Sequence, residues 1–161
     1  CIRDRYHEYQ LLISSFLLFS LLLFSQCGGS KKATKVSTHL KHGVTFIQSK
    51  TLSNVINIAE KEGKLVFIDF YATWCVPCKM MDKDVFPDKD IGLFFNENFI
   101  NYKVDGEKGN GQNLAALYDV KAYPTLVWVD KRGRVMARTE GGTYHTELMK
   151  LAESALKNAE M

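Results

Sequence analysis

An unbroken apolar run from Leu65 to Ile68 resumes, after one charged residue, with Phe70 and Tyr71. A run of this length without alternation between apolar and polar positions predicts a strand that is buried on both faces. The interrupting residue is Asp69. Burial disfavours the charged form of a carboxyl group and raises its pKa. Asp69 is therefore a candidate proton acceptor, and the alternative is an aspartate on a solvated strand face.

The rest of the pattern predicts helices and strands along the chain. Apolar residues recur at helical spacing after Thr51, which is placed to cap a helix that ends at Gly63. Leu114 and Leu117 are predicted to point inward from a later helix. The other predicted elements are strands at 44–48, 65–71, 99–104, 125–129 and 134–138, helices at 75–85, 91–98, 113–120 and 146–159, and a loop at 105–111.

The order of these elements predicts an α/β fold. Helices separate the first four predicted strands, and a helix between two strands allows them to pair in parallel. The last two strands are joined by a turn at 130–133, which indicates an antiparallel hairpin. We therefore expect a mixed central β-sheet flanked by helices.

The N-terminal region predicts export. Residues 11–24 are apolar except for three serines, which is short for a membrane span of about 20 residues and typical of a signal-peptide core. Cys27 follows and is a candidate lipidation site, because the region resembles a bacterial lipoprotein signal, although Phe24 and Gln26 depart from its usual residues. The alternatives are a secretory signal cut elsewhere, an uncleaved anchor or a buried helix. We expect a signal region at 1–27, a flexible linker at 28–43 and one folded domain at 44–161.

The net charge argues against nucleic-acid binding, and the spacing of the cysteines shows which of them can react together. The 161 residues carry a net charge of +3, which is too small to indicate nucleic-acid binding. Of the four cysteines, only Cys75 and Cys78 are spaced to act together. No metal site is predicted, because the pair His39 and His42 has no further candidate ligands nearby.

Cys75 and Cys78 stand where the buried strand ends and a helix of good helix formers begins. Free N–H groups at a helix start favour a negatively charged sulfur, and such positions lower the thiol pKa from its usual value of about 8.5. A Cys75 thiolate would attack disulfides, and Cys78, one turn later, would attack the resulting mixed disulfide. A static disulfide and half of a zinc site are the alternatives, but zinc needs four ligands.

The segment 68–79, IDFYATWCVPCK, resembles the active site of the thioredoxin-like family, which includes thioredoxins and the C-terminal domain of the interchange protein DsbD. The resemblance covers about 44–159. Three separate pieces carry it: Asp69, the W-C-x-P-C-K core, and the tripeptide at 123–125. It implies a thioredoxin fold and a redox-active disulfide between Cys75 and Cys78, with no other cofactor.

The resemblance also implies roles for neighbouring residues. Asp69 would accept the proton of Cys78 during its attack. Pro124 would form a cis bond beside the cysteines, and the backbone of Tyr123 would pair with an extended substrate. Trp74 would form part of the contact surface, or else belong to the core.

One basic residue departs from the family pattern. Lys103 does not occupy the position where thioredoxins place a buried lysine, and Asn101 is predicted to lie nearer to it. We therefore expect the details of proton transfer to differ.

The sequence thus predicts an exported, membrane-tethered thiol–disulfide oxidoreductase that is periplasmic. The dipeptide Val76-Pro77 lacks the histidine that strong oxidants of this fold carry, which favours a reductant. Its partners would be protein disulfides, a thiol electron donor and a membrane, with no nucleic acid. The alternative is a metallochaperone that binds Cu(I) through the two thiols.

Overall fold

A mixed five-stranded sheet with helices on its two faces forms the domain, as the sequence predicts. The computed structural model describes residues 43–161; the predicted signal region, Cys27 and residues 28–42 of the predicted linker lie outside that range. The elements are β1 (Phe46–Ile47), α1 (Leu52–Glu62), β2 (Leu65–Tyr71), α2 (Val76–Met80, continued by a π-helical turn, Met81–Val85), α3 (Lys89–Asn98), β3 (Phe99–Asp105), α4 (Asn110–Leu117), β4 (Thr125–Val129), β5 (Val135–Glu140) and α5 (His145–Ala159).

The apolar strand β2 lies at the centre of the sheet, whose order is β1-β3-β2-β4-β5. It pairs in parallel with β3 and antiparallel with β4, and β5 pairs antiparallel with β4. Asp69 therefore lies between Lys103 on β3 and Leu126 on β4. The carboxyl ends of β2 and β3 and the start of β4 meet at one edge of the sheet, where the candidate site lies.

Alternating residues of β2 supply two separate apolar cores, because successive strand side chains point to opposite faces. Val66, Ile68 and Phe70 pack on one face with residues of α1 and α4. On the other face Phe67 packs with residues of α3 and α5. A strand that is buried on both faces explains why its apolar run shows no alternation.

The first helix begins and ends at the predicted residues. The Thr51 hydroxyl accepts a hydrogen bond from the Asn54 N–H at 3.3 Å, which satisfies one of the free donors at the helix start. Gly63 ends the helix with φ 67°, a left-handed conformation that glycine adopts without steric penalty.

Two elements, β1 and α4, differ most from their predictions. The first strand has only two residues, and α4 begins at Asn110, inside the predicted loop 105–111. The prediction that Leu117 points inward is wrong, since its side chain is 69% exposed. Leu114 is buried as predicted, but Tyr118 occupies the inward position that we assigned to Leu117. At 100° per residue, Leu117 falls on the flank of the face that contains Gly111 and Leu114.

The chain enters the domain through a close contact between two glycines. Gly43, which the sequence places at the end of the linker, is buried with φ 105°. A Cβ atom on Gly92 of α3 would lie 2.4 Å from the Gly43 backbone. This contact packs α3 directly against the incoming chain.

Among the described residues, none of the helices is both apolar and long enough to cross a bilayer.

Candidate active site

Cys75 and Cys78 form a disulfide at the start of α2, with an S–S distance of 1.98 Å and a Cα–Cα distance of 5.4 Å. Cys75 is the N-cap residue, and its Sγ accepts a hydrogen bond from the Cys78 N–H at 3.1 Å. Upstream, the Cys75 N–H donates to the Ala72 carbonyl and closes the turn after β2. A thiolate at Cys75 would keep the same N–H donor, which stabilises negative charge on this sulfur.

The two cysteines are buried, whereas the apolar residues next to them in the chain are exposed. Cys75 is 1% exposed and Cys78 3%, and with Ala72 they form a small separate cluster. Next to them in the chain, Trp74 and Val76 are 63% and 73% exposed. The site therefore presents an exposed apolar rim around sulfur atoms that are largely covered.

Asp69 is a buried carboxyl group with a single ionic partner. It is 1% exposed, and its Oδ2 lies 2.6 Å from the Lys103 ammonium group. Within residues 43–161, its other oxygen, Oδ1, has no hydrogen-bond partner. Burial raises the pKa of Asp69 above its ordinary value, and the positive charge of Lys103 only partly opposes this. The carboxyl group thus has an acceptor atom free for a proton.

Lys103 is the basic residue that pairs with the buried acid, a contact that the sequence analysis did not predict. It stands directly opposite Asp69 in the β2–β3 register. Asn101 stands opposite Phe67 instead and donates to the Thr45 carbonyl at 3.3 Å. The active-site motif does not predict the register of β3, because two helices separate the motif from that strand.

Asp82 completes a charge network that sequence reasoning missed. Its carboxylate lies in the π-helical turn, 2.5 Å from the Lys103 ammonium, and is 46% exposed. The Lys103 ammonium also lies 4.9 Å from the ring centroid of Tyr71 and 5.3 Å from that of Phe86. Burial by itself would lower the pKa of Lys103, but the carboxylates of Asp69 and Asp82 raise it above its ordinary value. Lys103 therefore stays protonated between two acids.

Tyr123 and Pro124 lie beside the start of β4 and are joined by a cis peptide bond. The Thr125 hydroxyl donates to the Ala122 carbonyl at 2.8 Å, and the Gly141 N–H donates to the Pro124 carbonyl at 2.8 Å. Within the described range, the backbone N–H and C=O of Tyr123 make no hydrogen bond. These two groups are free to pair with another chain.

Trp74 lies on the surface and is fixed by a residue that the sequence did not single out. Its indole N–H donates to both carboxylate oxygens of Glu107, at 3.1 and 3.0 Å. Its ring centroid lies 6.1 Å from that of Tyr123 at an interplanar angle of 74°. Because Trp74 is mostly exposed, the alternative that it belongs to the core does not hold. Glu107 lies in a loop after β3, and no sequence signal connected it to Trp74.

A second group of polar side chains lies away from the cysteines in the chain. One ligand atom each of Asp88, Asp90 and His145 falls within 4.8 Å of the others, and Asp90 and His145 are exposed. Asp88 caps α3, since its carboxylate accepts the N–H groups of Asp90 and Ile91. Capping and an exposed contact to His145 at 3.4 Å account for this arrangement.

Comparisons with known proteins agree with this geometry. Residues 52–156 match the family model of the thioredoxin-like domain. Chloroplastic thioredoxin Y of Oryza sativa subsp. japonica is 33% identical over 122 residues, which cover 74% of this chain and 69% of the relative. A solved structure of a candidate disulphide-isomerase from Bacteroides thetaiotaomicron has a TM-score of 0.64 and 38% identity, and the match covers 71% of this chain and 94% of that one.

A third relative is much longer than the matched region. Thiol:disulfide interchange protein DsbD 2 of Pseudomonas aeruginosa is 28% identical over 105 residues, which cover 65% of this chain but 18% of that protein. The comparisons offer no support for copper binding. This chain belongs to the thioredoxin-like domain family and carries the C-x-x-C pair of its thiol–disulfide oxidoreductases.

Proposed function

We propose that this protein reduces disulfide bonds in partner proteins outside the cytoplasm, and that its N-terminal region tethers it to a membrane. One observation carries the catalytic part of the proposal. Cys75 and Cys78 form a buried pair at a helix start, with the Cys78 N–H directed at the Cys75 sulfur. Such a pair holds the two sulfur atoms close enough to pass between the dithiol and the disulfide.

The reaction transfers two electrons in two exchange steps. In the dithiol form, the Cys75 thiolate attacks one sulfur of a substrate disulfide. A bond forms between them, the substrate S–S bond breaks, and the leaving thiolate takes up a proton. Cys78 then loses its proton and attacks the Cys75 sulfur. This step breaks the mixed disulfide, releases the second substrate thiol and forms the intramolecular disulfide; a thiol donor then reduces it.

Asp69 is the proposed base for the second step. Its carboxyl group lies in β2, in the strand that leads into the cysteine turn, and its Oδ1 is unpaired within the described range. A raised pKa brings a carboxylate closer to the pKa of a thiol, so that proton transfer from Cys78 becomes less unfavourable. Lys103 holds the other oxygen and so fixes the orientation of the group.

Substrate would bind across Tyr123, Pro124 and Trp74. The unpaired backbone groups of Tyr123 suit the addition of an extended peptide segment. The exposed face of Trp74 offers apolar contact area beside the nucleophile. Main-chain pairing and an aromatic contact together favour polypeptide substrates of varied sequence.

The proposed direction and location rest on sequence and on similarity. Val76-Pro77 between the cysteines contains no side chain that would add positive charge next to the thiolate, which favours the disulfide product and hence a reductant. The similarity to DsbD 2 and the lipoprotein-like segment that ends at Cys27 support a periplasmic, membrane-held protein.

An insulin reduction assay with dithiothreitol as donor tests the activity. The wild-type protein is expected to accelerate insulin precipitation, whereas Cys75→Ser should reduce the rate to that of dithiothreitol alone. Cys27→Ser is the matched control, because it removes a cysteine outside the proposed chemistry and should keep the wild-type rate. Insulin reduction by Cys75→Ser at the wild-type rate would exclude the assignment.

A labelling experiment tests the tether separately. The full chain expressed in a bacterium is expected to incorporate radioactive palmitate and to sediment with membranes. Cys27→Ser should lose the label. Equal labelling of both proteins would show that Cys27 is not the lipidated residue.

A further inference from the structure

A groove lies between α1, α4 and the turn that joins β4 to β5, on the face of the sheet that packs against α1 and α4. Its volume is about 610 Å³, within the range of known ligand-binding pockets. The aliphatic side chains that line it are Leu52, Ile56, Leu114, Leu117 and Val135. The cysteines, Trp74 and Tyr123 do not line it, so the groove is separate from the candidate active site.

Two of the lining side chains are exposed to water. Leu117 on α4 is 69% exposed, and Val135, the first residue of β5, is 47% exposed. A single exposed leucine is ordinary on a soluble protein, but here two exposed aliphatic side chains border one apolar groove. An occupant removes both from water only if it covers the rim as well as the interior of the groove.

The charge at the groove is positive. Arg132 is the only charged residue that lines it in the described part of the chain. Arg132 is exposed, and its side chain makes no salt bridge within residues 43–161. Asp130, two residues earlier, is paired with Arg134 at 2.7 Å. Asp119, which follows the lining residue Tyr118, is paired with Lys121 at 2.5 Å.

The starts of two helices add partial positive charge. Thr51, Leu52 and Ser53 at the start of α1 line the groove, and so does Asn110, the first residue of α4. Neither helix has an acidic residue in its first turn, and α4 begins without a side-chain cap. Free N–H groups at a helix start favour negative charge nearby. An apolar groove is thus combined with a free guanidinium group and two positively polarised helix starts.

We propose that this groove docks a segment of a partner protein that carries aliphatic side chains between Asp or Glu residues. The aliphatic side chains would pack on Ile56, Leu117 and Val135, and the carboxylates would meet Arg132 and the helix starts. A small anion with an apolar tail would fill the groove and leave Leu117 in water, whereas a polypeptide along α4 covers it. A bilayer surface would cover the rim without filling the groove.

The groove is placed to hold a partner beside the active site. Asn110 follows Glu107, which accepts the hydrogen bonds of the Trp74 indole, by three residues. Three residues of chain span at most about 11 Å, so a segment bound at the start of α4 lies near the active-site loop. The docking itself does not rest on the proposed function, because none of the redox residues lines the groove.

Selection from a random peptide phage library tests the chemistry of the occupant. The immobilised full chain is the bait, and peptides that also bind the full chain with Val135→Ser are discarded, because they bind elsewhere. The retained peptides are expected to be enriched both in large aliphatic residues and in Asp and Glu. Their affinity, measured by fluorescence anisotropy, should fall as salt is added, because salt screens exposed charges.

Two variants separate the apolar and the charged part of the groove. Leu117→Ser should weaken binding of the retained peptides about tenfold, as expected for loss of a central apolar contact. Arg132→Glu should weaken it about threefold or more at low salt, and less at high salt. Leu93→Ser and Lys89→Glu are the matched controls, since they change an exposed leucine and an exposed lysine of α3. Both should bind like the wild type.

Circular dichroism confirms that each variant is folded, and Arg132→Glu remains as a test if Leu117→Ser folds poorly. Retained peptides without an excess of Asp and Glu, peptides that bind both groove variants as tightly as the wild type, or no retained peptide would each overturn the proposal.

The other possible occupants give different results. Sedimentation of the wild type with phosphatidylglycerol vesicles, or a dimer on size-exclusion chromatography, would replace the partner segment by a membrane or a second copy if Leu117→Ser abolishes it and Leu93→Ser does not. Insulin reduction should be unchanged in Leu117→Ser. A wild-type protein that binds the peptides but does not reduce insulin would support the docking groove and reject only the proposed function.

Discussion

Phe67 and Asp69 are two residues apart on β2 and face the same side of the sheet, yet their surroundings are opposite. Phe67 is fully buried, with the ring centroids of Phe95 and Trp128 each 4.9 Å away. Asp69 is buried almost as completely, but it has one ion pair and an unpaired oxygen. Over two residues of the strand, about 7 Å, the surroundings thus change from dense aromatic packing to a buried acid with one unpaired oxygen.

This contrast shows where stability and reactivity reside in the domain. Burial of an aromatic side chain removes apolar surface from water and stabilises the fold. Burial of a carboxyl group disfavours its ionised form, so Asp69 destabilises the fold whenever its carboxyl group is charged. The aromatic packing around Phe67 therefore stabilises the strand that holds Asp69 in a buried position, which the carboxyl group itself does not stabilise.

Removing the central aromatic ring should have the largest effect on stability. We expect Phe67→Ala to lower the free energy of unfolding by about 3–5 kcal/mol, through lost apolar burial and the remaining cavity. Urea denaturation followed by circular dichroism measures this change. Leu93→Ala is the control, because that side chain is 56% exposed and its loss should change stability by less than about 0.5 kcal/mol. A similar effect of both variants would contradict the proposed aromatic core.

Replacing Asp69 by asparagine should raise the stability near neutral pH, whereas Phe67→Ala lowers it. The folded pKa of Asp69 lies above the ordinary value of 3.8, so between these two pKa values the folded state holds a proton that the unfolded state has lost. The free energy of unfolding therefore falls as pH rises through that window. Asp69→Asn should abolish this fall and exceed the wild type in stability near neutral pH, by about 1.4 kcal/mol for each unit of raised pKa.

The same variant should slow the chemistry. Without the carboxylate, Cys78 loses its proposed proton acceptor, and we expect insulin reduction to fall by about 10²-fold, the lower end of the range for general base catalysis. Urea titrations and insulin assays between pH 4 and 9 measure both effects. A less stable Asp69→Asn protein, or one with the wild-type rate and pH dependence, would contradict the account of this residue.

Asp82 should have a smaller effect, because it is half exposed and acts on Asp69 from beyond Lys103. Its negative charge raises the pKa of Asp69, so Asp82→Asn should move the acid side of the pH–rate profile to lower pH, by less than about one unit. Asp84→Asn is the matched control, since it removes an exposed carboxylate from the same helical turn. Identical shifts in both variants would indicate a general charge effect without a contribution of the Lys103 contact.

Local pattern was sufficient to predict most of the fold. The bounds of β2 and the ends of α1 follow from an apolar run, a capping threonine and a terminal glycine, which act within a few residues of chain. Leu117 was assigned wrongly because two leucines three residues apart both fit a helical stripe. Which of them faces the sheet depends on the rotation of α4, and that is set by tertiary contact.

The cysteines and Asp69 could be located from the sequence because the motif is continuous. Lys103, Asp82 and Glu107 could not, since each reaches the site through a different element. The register of β3 brings Lys103 opposite Asp69, a π-helical turn presents Asp82, and a loop carries Glu107 to the indole. These contacts connect residues that are 21 to 34 positions apart, and no local pattern encodes them.

The central claim is that Cys75 attacks and Cys78 resolves, and trapping the mixed disulfide tests it most directly. Reduced Cys78→Ser and Cys75→Ser proteins are mixed at neutral pH with insulin whose disulfide bonds are intact, and the adducts are mapped by mass spectrometry. Cys78→Ser should accumulate a stable adduct through Cys75, while Cys75→Ser should form almost none. An adduct through Cys78 that forms as fast in Cys75→Ser would contradict the assignment of the nucleophile.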